Sequence, residues 1–214
     1  MQLTSDDIVL FQGDSITDAG RVREDSRPNA ADFLGHGYAT LAAARLLADL
    51  PGLTAHNRGI SGNRVTDLRD RWQADCLDLR PTVLSILIGV NDTWHGVASG
   101  TPHNGTTLPE FDRVYRQLLD DTKERLPGVK LVICEPFVLE CGAVLEMNFH
   151  PDIGERAKLV HAIAEDYADV FVAFQSVLNA ALADAGPEVW LFDGVHPTLA
   201  GHQRMADAWL QAVT

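Results

Sequence analysis

The sequence predicts an α/β protein, a five-stranded parallel sheet covered by helices on both faces in a three-layer α/β/α sandwich. Two observations carry this. Short apolar runs alternate with longer segments of helical period, the pattern of strand–helix–strand crossovers. The middle runs are apolar almost throughout, as strands buried on both faces must be.

In chain order, IVLFQ (8–12) is the first strand and GYATLAAARLLADL (37–50) the first long helix. Leu41, Ala44, Leu47 and Ala48 keep the i, i+3, i+4 spacing, and PG at 51–52 ends the helix. LTAHN (53–57) is the second strand, followed by an amphipathic helix at 65–79 with Leu68, Trp72 and Cys76 on one face. VLSILI (83–88) is the third strand. A helix over 108–126 carries Pro109 in its first turn, where a missing N–H costs nothing, and PG at 127–128 lies beyond its end. KLVICE (130–135), a helix at 155–169, VFVAF (170–174) and helices at 176–186 and 198–213 complete the alternation. Residues 91–107 and 141–152 read as irregular loops, and loops that long are usually functional or mobile. With no repeat and no linker, one domain over 1–214 is expected.

Composition removes several function classes. The 214 residues carry 30 Asp and Glu against 17 Lys and Arg, a formal net charge of -13. That surface suits neither nucleic acid, whose phosphates need a basic partner, nor an anionic membrane. No segment has the length of a membrane span, and the start of the chain lacks a signal-peptide pattern, so a cytoplasmic location is expected. Cys76, Cys134 and Cys141 are odd in number and widely spaced, which fits reduced thiols rather than disulfides or zinc. No HExxH or Cys/His spacing occurs either, so neither metal nor other cofactor is expected.

In an open parallel sheet, ligands bind beyond the carboxyl ends of the strands. Gly13, Asp14 and Ser15 follow the first strand, NRGISGN (57–63) the second and GVND (89–92) the third, while DGVHPT (193–198) precedes the last helix. Together these hold the parts of a serine hydrolase. A serine hydroxyl needs a base to remove its proton, and the base needs a carboxylate to fix its tautomer. Ser15, His196 and Asp193 can fill those roles, since a three-residue spacing on a turn lets the carboxylate reach the ring nitrogen facing away from the serine. The backbone N–H groups of Ser15 and Gly62 and the amide of Asn91 are candidate donors to a developing oxyanion. The GxSxG elbow of α/β-hydrolases is absent.

GDSIT (13–17), GISGN (59–63), GVND (89–92) and DGVHP (193–197) resemble, in order and across nearly the whole chain, the four sequence blocks of the SGNH hydrolases, or GDSL esterases and lipases. The resemblance implies a flavodoxin-like SGNH fold with Ser15 as nucleophile, His196 as base, Asp193 as its orienting acid, and Ser15, Gly62 and Asn91 forming the oxyanion hole. GDSITDAGR, the run at 57–72, IGVNDTW and DGVHPTLAGH are further similar to the intracellular acetylxylan-esterase branch, which deacetylates xylo-oligosaccharides and assembles as homo-oligomers. An acetylated sugar is therefore the expected substrate. A thioesterase, lysophospholipase or arylesterase on the same scaffold is the alternative, and a non-catalytic carbohydrate-binding relative a more distant one. Asp14, Trp94 and Trp190 are expected beside the substrate, because sugar faces and acyl groups both pack on aromatic rings. His95, His103 and His150 fall in the irregular segments without an assigned role.

Overall fold

The computed structural model describes residues 1–24, 27–98 and 104–214. Five strands, β1 (Ile8–Gly13), β2 (Thr54–Asn57), β3 (Val83–Leu87), β4 (Lys130–Cys134) and β5 (Val170–Val172), form one sheet in the order β2-β1-β3-β4-β5. Every pairing is parallel. Val9 stands opposite Ala55 on one side and Val83 on the other. The chain reverses direction across the sheet between β1 and β3, so the carboxyl ends of those two strands border the crevice where an open sheet takes its ligand.

Strand alternation divides the core into two layers. Val9, Phe11, Val83, Leu87, Val132 and Cys134 face one side, packed with Tyr38, Leu46, Phe174 and Trp209. Leu10, Leu84, Ile86, Leu131 and Ile133 face the other, packed with Leu68, Trp72, Phe111, Tyr115 and Val160. The first layer rests on α3 (Tyr38–Asp49), α9 (Phe174–Ala181) and α11 (Leu199–Val213); the second rests on α4 (Val65–Asp75), α6 (Leu108–Arg125) and α8 (Asp152–Tyr167). Burying each of these large apolar side chains is worth about 1.5–3 kcal/mol. In each layer a buried indole finds a hydroxyl: Trp209 donates to Ser85 Oγ at 3.0 Å, and Trp72 to Thr122 Oγ1 at 3.0 Å.

Parts of the two segments expected to be irregular, 91–107 and 141–152, are helical, and residues 99–103 of the first lie outside the described residues. Residues 90–98 form α5 (Val90–Ala98), and 142–147 form α7 (Gly142–Met147). Trp94 and Val97 in α5 pack at helical spacing on the first core layer, but one turn of that pattern, interrupted by Gly96, is too short to register as a period. α9 begins two residues earlier than expected, because Glu135 Oε2 accepts the Gln175 N–H at 3.0 Å and caps the helix there. It ends at Ala181 rather than 186, and α8 starts at Asp152 rather than 155. Three single turns, α1 (Ser15–Asp18), α2 (Ala31–Leu34) and α10 (Pro187–Trp190), complete the helices named here.

Candidate active site

β1 runs to Gly13 and turns directly into α1 at Ser15. The turn needs glycine, because a Cβ on Gly13 would lie 2.3 Å from the Leu87 carbonyl oxygen and 2.5 Å from Thr17 Oγ1. Asp14 caps α1, its Oδ1 accepting the Ile16 N–H at 3.0 Å. Ser15, the first residue of the helix, is left partly exposed at the end of the strand.

Ser15 Oγ lies 2.9 Å from His196 Nε2, and His196 Nδ1 lies 2.7 Å from Asp193 Oδ2. The Asp193 carboxylate is itself fixed, because its Oδ1 accepts the backbone N–H groups of Val195 at 2.9 Å and His196 at 2.7 Å. Partial burial works against the Asp193 charge, but these hydrogen bonds outweigh it and hold the carboxyl below 3.8. The hydrogen bond that His196 Nδ1 donates to Asp193 raises His196 above 6.5 against the pull of burial, with Asp14 adding to the rise. The imidazole thus has one nitrogen on the serine and the other on a carboxylate that stays ionised, as general-base catalysis requires.

The three candidate oxyanion donors sit just beyond the carboxyl ends of β1, β2 and β3, Ser15 in α1, Gly62 on a loop and Asn91 in the first turn of α5. Gly62 adopts φ +84 with open space where a Cβ would stand, so its glycine answers to the left-handed backbone and not to crowding. Asn91 Nδ2 donates one hydrogen to the Asn63 carbonyl at 3.2 Å, which aims the amide and leaves its second hydrogen available.

Of the residues expected at the substrate, Trp94 meets the triad: its half-buried ring lies 5.6 Å from that of His196 and rests edge-on against Phe149. Asp14 and Trp190 do not face a substrate, being only 1% and 7% exposed. Asp14 turns inward as the cap of α1. Trp190 is sent into the core by the single turn of α10, where its indole donates to the Ala185 carbonyl at 3.3 Å and the Arg204 guanidinium covers it at 5.1 Å. His95 belongs to α5 and is held below 6.5 by burial and by Arg64. His150 pairs with Glu140 at 3.1 Å and lines a cavity of about 670 Å³ to which none of Ser15, Asp193 or His196 contributes. His103 lies outside the described residues. His202, in α11, is buried, accepts the Tyr38 N–H at 3.1 Å and is pushed down to about 4 by desolvation.

Sequence reasoning missed Phe192 and Arg71 and left the role of Asp92 undecided. Phe192 stacks on His196 with a centroid distance of 5.6 Å and an interplanar angle of 15°, and is 61% exposed. Its signal was a large apolar residue directly before the DGVHP block. Asp92 is 2% exposed and burial pushes its carboxyl up to about 6, opposed by Arg156 and a hydrogen bond with Thr106. Among the described residues, no helix is long and apolar enough to cross a membrane, and no group of three or more His, Cys, Asp or Glu is placed to hold a metal ion.

The chain matches the model of the GDSL-like lipase/acylhydrolase family over residues 11–204. An acetylxylan esterase of Geobacillus stearothermophilus is 34% identical over 216 residues, covering 100% of this chain and 96% of that protein. A solved structure of that organism's acetylxylan esterase superposes with a TM-score of 0.87 at 32% identity, over 99% of this chain and 95% of the other. Forms of that enzyme solved as catalytic mutants replace a serine, an aspartate and a histidine, the last two spaced three residues apart. A Parabacteroides merdae protein described as a GDSL-like lipase superposes with a TM-score of 0.91 at 45% identity, over 98% and 96% of the two chains.

Proposed function

Because the chain belongs to the GDSL-like lipase/acylhydrolase family, we propose that it is a serine carboxylic ester hydrolase that removes acetyl groups from carbohydrate, with acetylated xylo-oligosaccharides as its substrate. The observation that carries the reading is the unbroken line from Ser15 Oγ through His196 to Asp193, at 2.9 and 2.7 Å. The catalytic serine of the Geobacillus enzyme has the same chain position, 15, and its aspartate and histidine have the same spacing as Asp193 and His196.

In this mechanism His196 Nε2 takes the proton of Ser15 as Oγ attacks the acetyl carbonyl. The negative charge on the carbonyl oxygen is met by the N–H groups of Ser15 and Gly62 and the free amide hydrogen of Asn91. As the tetrahedral intermediate collapses, the imidazolium gives its proton to the leaving sugar oxygen, leaving acetyl on Ser15. Water then enters, His196 deprotonates it, a second intermediate forms, and acetate departs with the serine reprotonated. Asp193 keeps the imidazole in one tautomer and stabilises its positive form in both halves.

The same proposal places the whole activity in one domain. It also makes the protein cytoplasmic, supported by three buried cysteines that are all free thiols. A homo-oligomer is supported by Leu145 and Leu199, large apolar side chains that the single chain leaves 62% and 80% exposed. Hydrolysis of acetylated xylo-oligosaccharides and of chromogenic acetate, butyrate and octanoate esters tests the catalytic reading. The acetyl substrates should turn over fastest, and Ser15→Ala should reduce turnover on the order of 10⁵–10⁶-fold. Equal rates for Ser15→Ala and wild type would remove the nucleophile, and a preference for octanoate would overturn the sugar deacetylase.

A further inference from the structure

The three oxyanion donors lie beyond the last paired residues of β1, β2 and β3, so sheet hydrogen bonding does not set the distances between them. We propose that Arg71 and Asp92 are positioning residues that lock the Ser15, Gly62 and Asn91 loops to one another, fixing the oxyanion hole before substrate arrives. This rests on the acyl-transfer reading above.

Arg71, on α4, is largely buried and spends its guanidinium on two loops at once. Its Nη2 donates to the Gly13 carbonyl at 3.2 Å, two residues before the nucleophile. Its Nη1 donates to the Arg58 carbonyl at 2.8 Å and its Nε to Asn63 Oδ1 at 2.7 Å, on either side of Gly62 in the chain. Asp75 holds the same Nη1 at 3.0 Å and supplies the countercharge. Only a rigid fork can reach three such acceptors together; a lysine ammonium is a single point.

Asp92 makes the second link. Both of its carboxylate oxygens accept the Val65 N–H, each at 3.2 Å, joining the turn that carries Asn91 to the first residue of α4, three positions past Gly62. Asn91 donates to Asn63 alongside it. On the far side, Thr93 bonds Asp152 and accepts Arg156 Nε at 3.2 Å, anchoring the same turn to α8. Three consecutive side chains thus tie this turn to two other elements. Asp92 is too deeply buried to touch an ester, so its influence passes through the loops it joins.

Donors held in place beforehand need no reorganisation when charge develops, and a displacement of about 1 Å at a reacting centre can cost on the order of 10² in rate. Arg71→Lys and Asp92→Asn should therefore each lower kcat by about 10–100-fold, with KM within about threefold of wild type. The rate is to be counted per active site titrated with a fluorophosphonate, which separates misplacement from loss of folded protein. Binding of a phenylboronic acid, which mimics the tetrahedral anion, should weaken by the same factor as kcat. Unchanged kcat per titrated site, or unchanged boronate affinity, would overturn the proposal. Hydrogen exchange on the ligand-free wild type supplies a measurement that does not depend on either variant folding: the Val65 N–H should be strongly protected, and rapid exchange there would equally overturn it. Failure of the acyl-transfer reading would show differently, as a wild type that neither reacts with fluorophosphonate nor hydrolyses acetate esters.

Discussion

Asp193 and Asp14 both act on the charge of His196, yet the fold moves their own acidities in opposite directions. Asp193 lies on a turn, half-buried, with two backbone N–H groups and an imidazole on its oxygens, and it is held below 3.8. Asp14 is fully buried under the nucleophile with one backbone N–H on Oδ1 and no partner on Oδ2, and it is pushed up to about 7. Asp92 resembles Asp14: burial dominates its shift and carries it to about 6. Closeness to His196 does not by itself make a carboxylate fit to orient it as an ion. Donor count against burial does, because an ion in low dielectric is stable only where hydrogen bonds replace its water.

The largest effect should come from undoing the Asp193 side of this contrast. Asp193→Asn keeps the size and the turn but cannot hold His196 in the tautomer that accepts the serine proton, and turnover should fall on the order of 10⁴-fold. In the wild type, kcat/KM should rise with pH through an apparent pKa above 6.5, since His196 works as a base only when neutral and its proton is held more tightly than usual. The residual activity of the variant should show this limb displaced downward. A pH–rate series on an acetate ester decides it, and a limb at the same position in both proteins would mean that Asp193 does not set the basicity of His196.

The sheet, its two core layers and the four motif loops were legible in the sequence because each rests on local pattern: apolar period for the elements, and contiguous residues for the blocks. The failures share a cause in long-range packing. Trp190 sits three residues before Asp193, yet one turn of α10 turns it into the core. Asp14 adjoins Ser15 but faces the other way, as a helix cap. Arg71 read as one more charge on an amphipathic helix, since nothing local reveals that its fork reaches Gly13, 58 positions earlier. Residues whose contacts come from distant parts of the chain stay silent until the chain is folded.

A smaller effect should appear in stability when Asp14 becomes asparagine. Its folded pKa, about 7, lies above the 3.8 of an ordinary aspartate, so the folded state binds this proton more tightly than the unfolded chain. Its favourable contribution is complete below 3.8 and is lost as pH rises toward 7, amounting to at most about 4 kcal/mol across that window. Asparagine stays neutral and can still accept the Ile16 N–H. The melting temperature of Asp14→Asn should gain on wild type from pH 4 to pH 7 and then hold its advantage. Parallel thermal unfolding curves with a pH-independent difference would show that Asp14 has the same acidity in the folded and unfolded chain.

The mildest change is at Phe192, beside His196 itself. The Phe192 ring lies parallel to the imidazole and mostly in water, so it supplies neither hydrogen bond nor burial to the Asp193 pair. What it can offer is its π face, toward the positive charge that His196 carries during each proton transfer. Exposed interactions of this kind are worth about 0.5–1 kcal/mol. Phe192→Ala should therefore lower kcat/KM by about two- to fivefold and shift the acid limb slightly downward, because the same face favours the imidazolium in the resting enzyme. Phe192→Leu, which keeps apolar bulk without a π face, should lose as much. Full activity in the leucine variant would assign the residue to packing alone, leaving the charge of His196 to Asp193 and Asp14.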